Sequence, residues 1–215
     1  MGFKVSGGQS EDGVVFGNAF DKYGSKNPIV KWMMKGFDTS LENFVVRANP
    51  ETIHEVGCGE GFWVNKWNSQ GLRAVGSDFS YEVISLAQEN AANAGLDSNV
   101  FSAKSIYDLK PETDSADLIV CCEVMEHLED PDRAMKVLQS LVKNYLIISV
   151  PREPVWCVLN MARGKYLKNL GNTPGHIQHW SKRAFVTFTG RYFKVIEVSS
   201  PFPWTMLMCV PHDKK

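Results

Sequence analysis

A glycine-rich turn after a short apolar segment constrains this chain more than any other feature. The segment 52–56 has the pattern of a strand, and it leads into the turn Glu55-Val56-Gly57-Cys58-Gly59-Glu60-Gly61. Glycine adopts positive φ and lets a ligand approach where a Cβ would block it. At the carboxyl end of a parallel strand, such a turn indicates a binding site for a ligand that carries a nucleoside.

The spacing of the glycines argues against two common phosphate sites. A dinucleotide turn follows the pattern Gly-x-Gly-x-x-Gly. Here the position of its third glycine is Phe62, and the third glycine of the turn comes one residue earlier, at Gly61. A P-loop would need Gly-Lys-Ser/Thr, which this turn lacks. A dehydrogenase is therefore the weakest of the enzyme classes that the turn could indicate.

Composition narrows the class of protein further. The chain has 215 residues, 44% of them hydrophobic, which predicts a single domain over residues 1–215. Its net charge of −1 provides no broad field that would attract nucleic acid, and no run reaches the roughly 18 apolar residues of a membrane span. The five cysteines include no Cys-x-x-Cys pair. We expect a cytoplasmic protein with neither a nucleic-acid partner nor a membrane span.

Strand and helix patterns alternate through the middle of the chain. The predicted strands are 53–56, 72–77, 99–102, 117–122 and 145–150, and the predicted helices are 61–69, 80–94 and 131–142. This alternation predicts a doubly wound parallel sheet. Two further strands, 193–198 and 205–210, follow a helix at 181–188. They are separated by too few residues for a crossover helix, so we expect them to pair antiparallel.

The amino-terminal region is predicted to form a tail and a lid. Residues 1–12 are polar and glycine-rich, and we expect them to be mobile. Apolar residues then recur at intervals of three and four from Asn27 to Val46, which is typical of an amphipathic helix. We expect this helix to be interrupted near Gly36 and to restart around Thr39.

Three segments, in this order, resemble the class I S-adenosylmethionine-dependent methyltransferases, and especially the branch that acts on small molecules. They are Glu55 to Gly61, Gly76-Ser77-Asp78, and Asp117 to Pro131 with its Glu-Val-Met-Glu-His-Leu sequence. The resemblance covers residues 50–150. It implies an α/β fold with a mostly parallel seven-stranded sheet, a C-terminal antiparallel hairpin and an N-terminal helical lid. The chain would then divide into lid 1–48, cofactor-binding core 49–150, substrate-side insertion 151–192 and closing strands 193–215.

The resemblance implies methyl transfer from S-adenosylmethionine to a small organic acceptor by in-line displacement. Oxygen is the first choice of target atom, followed by carbon or nitrogen. Methylation of RNA or protein, and a partner subunit that binds the cofactor without turnover, remain alternatives.

The resemblance also implies which residues hold the cofactor. Glu55 would bind the ammonium group, Asp78 would accept both ribose hydroxyls, and Phe79 would lie beside the adenine. The complete predicted set is Glu55, Gly57, Cys58, Gly59, Gly61, Asp78, Phe79, Ser105, Ile106, Cys122 and Glu123. Two positions depart from the family pattern. Ser105 stands where an acid is common, and His54 stands where an aliphatic residue is common, so we expect His54 to be a core histidine.

Three histidines are candidates for a general base, since the pKa of histidine lies near neutrality. They are His127, His176 and His179. His127 could instead organise its loop, and either of the others could brace the helix that begins at Ser181. His176 and His179 could also ligate a metal with Glu153 or Asp130. No third ligand stands at a diagnostic spacing, however, so we predict no metal site.

Acceptor contacts are predicted at Arg152, Trp156, Trp180 and Tyr23. Arg152 follows the fifth strand, at the sheet edge where ligands bind. It could hold an anionic acceptor or form an ion pair with Glu153. The tryptophans fall in or near loops and favour an apolar or aromatic acceptor.

Overall fold

The computed structural model describes residues 3–7, 10–11, 14–15 and 24–212, so Tyr23 lies outside the described residues. Seven strands form the main sheet: β1 Thr52–Val56, β2 Arg73–Asp78, β3 Phe101–Ala103, β4 Ala116–Cys122, β5 Val142–Pro151, β6 Phe193–Ser199 and β7 Trp204–Pro211. Their order is β3-β2-β1-β4-β5-β7-β6. The first five are parallel, and β7 is antiparallel to both β5 and β6. The predicted α/β fold and its closing hairpin are confirmed.

Seven α-helices accompany the sheet in the described part of the chain. They are α1 Pro28–Ala48, α2 Phe62–Ser69, α3 Tyr81–Asn93, α4 Pro111–Asp114, α5 Pro131–Leu141, α6 Val155–Ala162 and α7 Lys182–Thr189. One core cluster joins α1, α2 and α3 to one face of the sheet, and a second joins α5 and α7 to the other face. Coverage on both faces explains why the central strands are apolar almost throughout.

The strand order reverses between β1 and β4, which lie side by side although other strands separate them in sequence. Ligands bind outside the carboxyl ends of the strands at such a switch point. The antiparallel β7 contributes to the same edge, since its first residue, Trp204, pairs with Pro151 at the end of β5. The topology therefore gathers the ends of β1, β2, β4 and β5 with the start of β7.

The first helix runs without interruption through Gly36, so the predicted break there is wrong. Asn27 caps α1 by accepting from the Ile29 N–H at 2.9 Å, and Asn49 ends it in the left-handed conformation. A buried stripe holds the helix on the sheet: Met34, Phe37, Leu41, Phe44, Val45 and Ala48. An interior glycine costs only about 1 kcal/mol relative to alanine, and burial of this stripe outweighs that cost.

Helix α6 and the start of β5 also differ from the predicted pattern. Helix α6 was missed, and it places Asn160 where its Nδ2 donates to Gly171 O at 2.8 Å and to Thr173 Oγ1 at 3.0 Å. Strand β5 begins at Val142, directly after α5, rather than at Tyr145. Helix α6 therefore anchors the loop that follows it, which a local pattern could not show.

The amino-terminal residues 3–7 are bonded to the glycine turn and to α3, and the mobility of residues 1–12 stays a prediction. The Ser6 N–H and hydroxyl both donate to Glu60 Oε1, at 3.0 and 2.9 Å. Lys4 and Asn90 exchange two backbone-to-side-chain hydrogen bonds of 3.0 Å each. The segment therefore braces the outer side of the glycine turn.

His54 is a buried core histidine, as predicted. Its Nδ1 donates to the Asp114 carbonyl oxygen at 2.7 Å, and its Nε2 accepts from the Ser77 hydroxyl at 2.9 Å. Burial lowers the pKa of His54 from its usual 6.5, which outweighs the opposing effect of the Asp114 carbonyl. The neutral ring thus joins β1 to β2 and to the segment before β4.

This burial predicts a pH dependence of stability. Below pH 6.5 the unfolded chain binds a proton that folded His54 does not bind, so the free energy of unfolding falls as the pH falls. The loss approaches ~1.4 kcal/mol per pH unit for each such group. His54→Asn keeps an N–H donor but does not titrate, so its urea-unfolding free energy should fall less steeply between about pH 6.5 and 5. Identical slopes in the two proteins would contradict this assignment.

Candidate active site

Two glycines of the turn after β1 are required by the backbone and by its neighbours. Gly57 and Gly61 have φ of 77° and 79°. A Cβ on Gly57 would lie 2.2 Å from Val124 Cγ2, and one on Gly61 would lie 2.7 Å from Phe101 Cζ. The turn therefore passes close to the loop after β4 on one side and to β3 on the other.

The N–H groups of the turn are used within the protein. Gly57 and Cys58 both donate to the Ser77 carbonyl oxygen, at 2.7 and 3.0 Å. Gly59 donates to Asp78 Oδ2 at 3.1 Å. A phosphate-binding turn aims such N–H groups at its ligand. With its donors engaged, this turn suits a ligand that itself donates hydrogen bonds, such as an ammonium group, better than a pyrophosphate.

Two carboxylates flank the turn at the ends of neighbouring strands. Glu55 is 5% exposed and pairs in register with Gly76 of β2, while Asp78 is 9% exposed. Burial raises the pKa of Asp78, and the N–H groups of Ser80 and Gly59 act in the opposite direction. An ionised carboxylate has about four acceptor sites, so Asp78 keeps capacity for a diol. The arrangement fits the ribose and the ammonium group of S-adenosylmethionine.

The predicted adenine side is formed by Phe79, Ser105 and Ile106. The Phe79 side chain is 44% exposed and directly follows Asp78, and Ile106 is buried. The Ser105 hydroxyl accepts from the Tyr107 N–H at 3.3 Å and so caps a short 3₁₀ turn. A flat base could lie against the exposed Phe79 ring at this edge.

Cys58 and Cys122 are not suited to be nucleophiles. Burial raises the pKa of both thiols well above their usual value, and a thiol, unlike a thiolate, is a poor nucleophile. The Cys58 sulfur packs behind the turn, where a Cβ on Gly76 would lie 2.8 Å from it. The Cys58 side chain therefore packs against β2.

Glu123 is held firmly at the end of β4. Its φ is 60°, an uncommon value for a residue other than glycine. Its carboxylate accepts from Ser149 Oγ at 3.1 Å and from Trp204 Nε1 at 2.5 Å. Backbone strain of this kind persists where the surroundings over-determine it, and it concentrates at functional sites.

Aromatic side chains form a wall beside Glu123. The Trp156 ring lies 5.9 Å from that of Trp204 and 6.3 Å from that of His176, with the last pair inclined by only 23°. Trp156 Nε1 donates to Thr173 Oγ1 at 2.9 Å, which fixes the wall to the loop after α6. Trp180 instead packs on Phe188 at 4.6 Å, in the core cluster on the other face of the sheet.

Arg152 does not form the ion pair with Glu153 that the sequence left open. Among the described residues, Arg152 has no carboxylate partner, and its buried Nε makes no hydrogen bond. Glu153 Oε1 lies 3.8 Å from His179 Nδ1 instead. The Arg152 backbone N–H donates to Pro203 O at 2.9 Å, which ties the end of β5 to the turn before β7.

Two of the three candidate histidines lie together. The rings of His127 and His176 are 4.9 Å apart and nearly perpendicular. Burial lowers the pKa of His127. The pKa of His176 is lowered to about 3, mainly by burial and to a smaller extent by the neighbouring His127 and His179. A general base works best with a pKa near the working pH. His176 therefore keeps a neutral ring at pH 7 but holds a proton poorly.

Two groups of side chains in the described part of the chain have the composition and spacing of metal ligands. One is Glu126, His127 and His176, and the other is Glu153, Cys157 and His179; within each group the ligand atoms lie within 4.8 Å of one another. The sequence placed His176 and His179 at one site, whereas the structure assigns them to different groups. Asp130, the other suggested ligand, caps α5 by accepting from the Arg133 N–H at 2.9 Å.

The loop that carries His176 is bound to the segment after β4. The N–H groups of Ile177 and Gln178 both donate to the Glu126 carbonyl oxygen, at 2.8 and 3.0 Å. Gln178 Nε2 also donates to Leu128 O at 3.1 Å. Sequence reasoning missed Glu126 as a member of the site. The only available signal was its place within the Glu-Val-Met-Glu-His-Leu segment.

In the described part of the chain, no helix has both the length and the apolar character needed to cross a bilayer. All five cysteines are free thiols.

Comparison with known proteins shows the family of this chain. A family profile described as "Methyltransferase domain" matches residues 36–192. The ubiquinone biosynthesis O-methyltransferase of Coxiella burnetii is 32% identical over 91 residues, which cover 42% of this chain and 38% of that protein. The chain thus aligns with less than two fifths of the length of this curated relative.

Solved structures share the fold at low identity. Magnesium protoporphyrin IX methyltransferase from Synechocystis PCC 6803, crystallised with bound SAH, has a TM-score of 0.67 at 17% identity, over 90% of this chain and 94% of that one. The N-methyltransferase NodS from Bradyrhizobium japonicum WM9, in complex with S-adenosyl-L-homocysteine, has a TM-score of 0.64 at 16% identity, over 91% and 94%. The chain belongs to the methyltransferase-domain family, and its fold is that of these two S-adenosylhomocysteine-bound methyltransferases.

Proposed function

We propose that this enzyme transfers a methyl group from S-adenosylmethionine to a small organic acceptor, with oxygen as the target atom. The observation that carries the proposal is the glycine turn, whose N–H groups are engaged by Ser77 and Asp78. Such a turn, with Glu55 and Asp78 beside it, complements a cationic amino acid joined to a ribose. The ammonium group would bind to Glu55, and the ribose hydroxyls would donate to Asp78. The adenine would lie beside Phe79, Ser105 and Ile106.

The acceptor would lie where Glu123, Trp204, Trp156 and His176 meet. The sulfonium donor is already activated, so the protein has mainly to align the acceptor, the methyl carbon and the sulfur. A wall of two indoles and one imidazole suits a flat or aromatic acceptor. The curated relative named as an O-methyltransferase supports oxygen as the target atom. We also propose that residues 151–192 form the acceptor side, with Arg152 as a contact for an anionic group.

The net charge of −1 and the free thiols support the rest of the proposal. Without a broad basic field, a small molecule is favoured over RNA as the acceptor. Five free cysteines are consistent with a reducing compartment, and we propose the cytoplasm.

Transfer of labelled methyl from S-adenosylmethionine into a cell extract tests the acceptor class. Separation into solvent-soluble molecules, RNA and protein should place the label in the first fraction. Label confined to RNA or protein would contradict the acceptor class and leave the cofactor site standing. Cofactor binding without label in any fraction would favour the alternative of an idle partner subunit.

Asp78→Asn should weaken S-adenosylmethionine binding about ten- to a hundredfold, because a hydrogen bond to a charged group contributes about 1.5–3 kcal/mol. Isothermal titration calorimetry measures this change. Asp97→Asn is the matched control, since Asp97 also accepts a backbone N–H, from Asn99 at 2.9 Å, but on an exposed turn before β3. If Asp78→Asn and Asp97→Asn bound S-adenosylmethionine with equal affinity, Asp78 would not be a cofactor-binding residue.

Gly57→Ala should lower both stability and S-adenosylmethionine affinity. A left-handed conformation at a residue other than glycine costs about 1–3 kcal/mol, and here the new Cβ also meets Val124. Gly95→Ala is the control, since Gly95 has φ of 71° and open space around it. Thermal unfolding and calorimetry should show the larger loss for Gly57→Ala. The close approach of Val124 would be refuted if Gly57→Ala and Gly95→Ala lost equal stability and Gly57→Ala bound S-adenosylmethionine with unchanged affinity.

A further inference from the structure

We propose that Glu126, His127 and His176 bind a divalent transition-metal cation of the Zn²⁺ type beside the acceptor space. The three ligand atoms lie within 4.8 Å of one another. Nitrogen and oxygen ligands lie about 2.0–2.2 Å from a zinc ion. Each of the three side chains would therefore have to move about 1 Å toward the ion to bind it. Three protein ligands with one open position is the arrangement of catalytic zinc sites.

The orientation of His127 is set by a hydrogen bond on the far side of its ring. Its Nδ1 donates to the Gly175 carbonyl oxygen at 2.9 Å, which leaves the lone pair on Nε2. That Nε2 lies 3.9 Å from Glu126 Oε1. Metal-binding histidines commonly donate their other ring N–H to a carbonyl or carboxylate in this way, which fixes the tautomer and the ring orientation.

The charges of the group also suit a cation. Glu126 is only 2% exposed and lies beside two imidazoles. One carboxylate and two imidazoles are donors of the types that zinc accepts.

The second group, Glu153, Cys157 and His179, is the rival position for an ion. The His179 side chain is 43% exposed, whereas Glu126 is buried and both histidines of the first group are partly buried. The first group is therefore favoured, because its ligands are held inside the protein.

Binding of the ion does not depend on the proposed function, but its use in catalysis does. His176 stacks against Trp156, so an ion bound to His176 would lie beside the proposed acceptor. An acceptor hydroxyl bound there would lose its proton to water more readily. Its oxygen would then form a bond to the methyl carbon as the carbon–sulfur bond breaks, which gives the methyl ether, S-adenosylhomocysteine and one proton. The inferred acceptor is therefore a hydroxylated compound, such as a phenol.

Titration of the chelator-treated full chain with Co²⁺ alone tests the site, with visible absorption as the readout. We expect bands of four- or five-coordinate Co²⁺ without a thiolate-to-cobalt band. His176→Phe keeps a ring against Trp156 but removes the ligand atom, and it should weaken binding on the order of tenfold or more. His179→Phe is the matched control and should bind as the unchanged protein does.

Two results would overturn the proposal. One is the absence of Co²⁺ bands in the unchanged protein. The other is a thiolate band, or loss of binding in His179→Phe, since either places the ion at Glu153, Cys157 and His179. If near-ultraviolet circular dichroism shows that His176→Phe does not fold, Glu126→Gln is judged by the same criteria. The readout needs no methyl transfer, so failure of the proposed function would not change these spectra.

Discussion

The attachment of the glycine turn to the end of β2 is the interaction on which the rest of the site depends. Through Ser77 and Asp78, β2 engages the N–H groups of Gly57, Cys58 and Gly59. This bonding fixes the path of the turn and brings Val124, just after β4, against Gly57. The ends of β1, β2 and β4 thereby form one surface. The buried carboxylates of Glu55 and Asp78 lie on this surface.

The proposed donor half of the site was predictable because its signals are local. Glycine spacing, the acidic residues and strand–helix alternation lie within short windows, and the fold that they imply is confirmed. The hairpin of β6 and β7 followed from the shortness of its link, and the burial of His54 followed from its place in an apolar strand. Even here Gly36 misled, because the apolar pattern of α1 was visible in the sequence but the depth to which the sheet buries it was not.

The proposed acceptor half was less predictable because contacts distant in sequence create it. His176 meets His127 only because the loop after α6 is bonded to the Glu126 carbonyl oxygen and to Asn160. Spacing alone paired His176 with His179, which the structure assigns to a different group. Trp204 reaches Glu123 because β7 is antiparallel and begins at the edge where β5 ends. Such neighbours depend on strand order and loop anchoring, which have no short sequence signature.

The most direct test of the central claim is a crystal structure of the enzyme with S-adenosylhomocysteine. We expect the ribose hydroxyls to lie on the Asp78 carboxylate, with the amino-acid end toward Glu55 and the turn. We also expect the sulfur to point toward Glu123 and the wall of Trp156 and Trp204. A nucleoside bound elsewhere, or in the reverse direction with its adenine against Glu123, would contradict the assignment of the donor and acceptor halves.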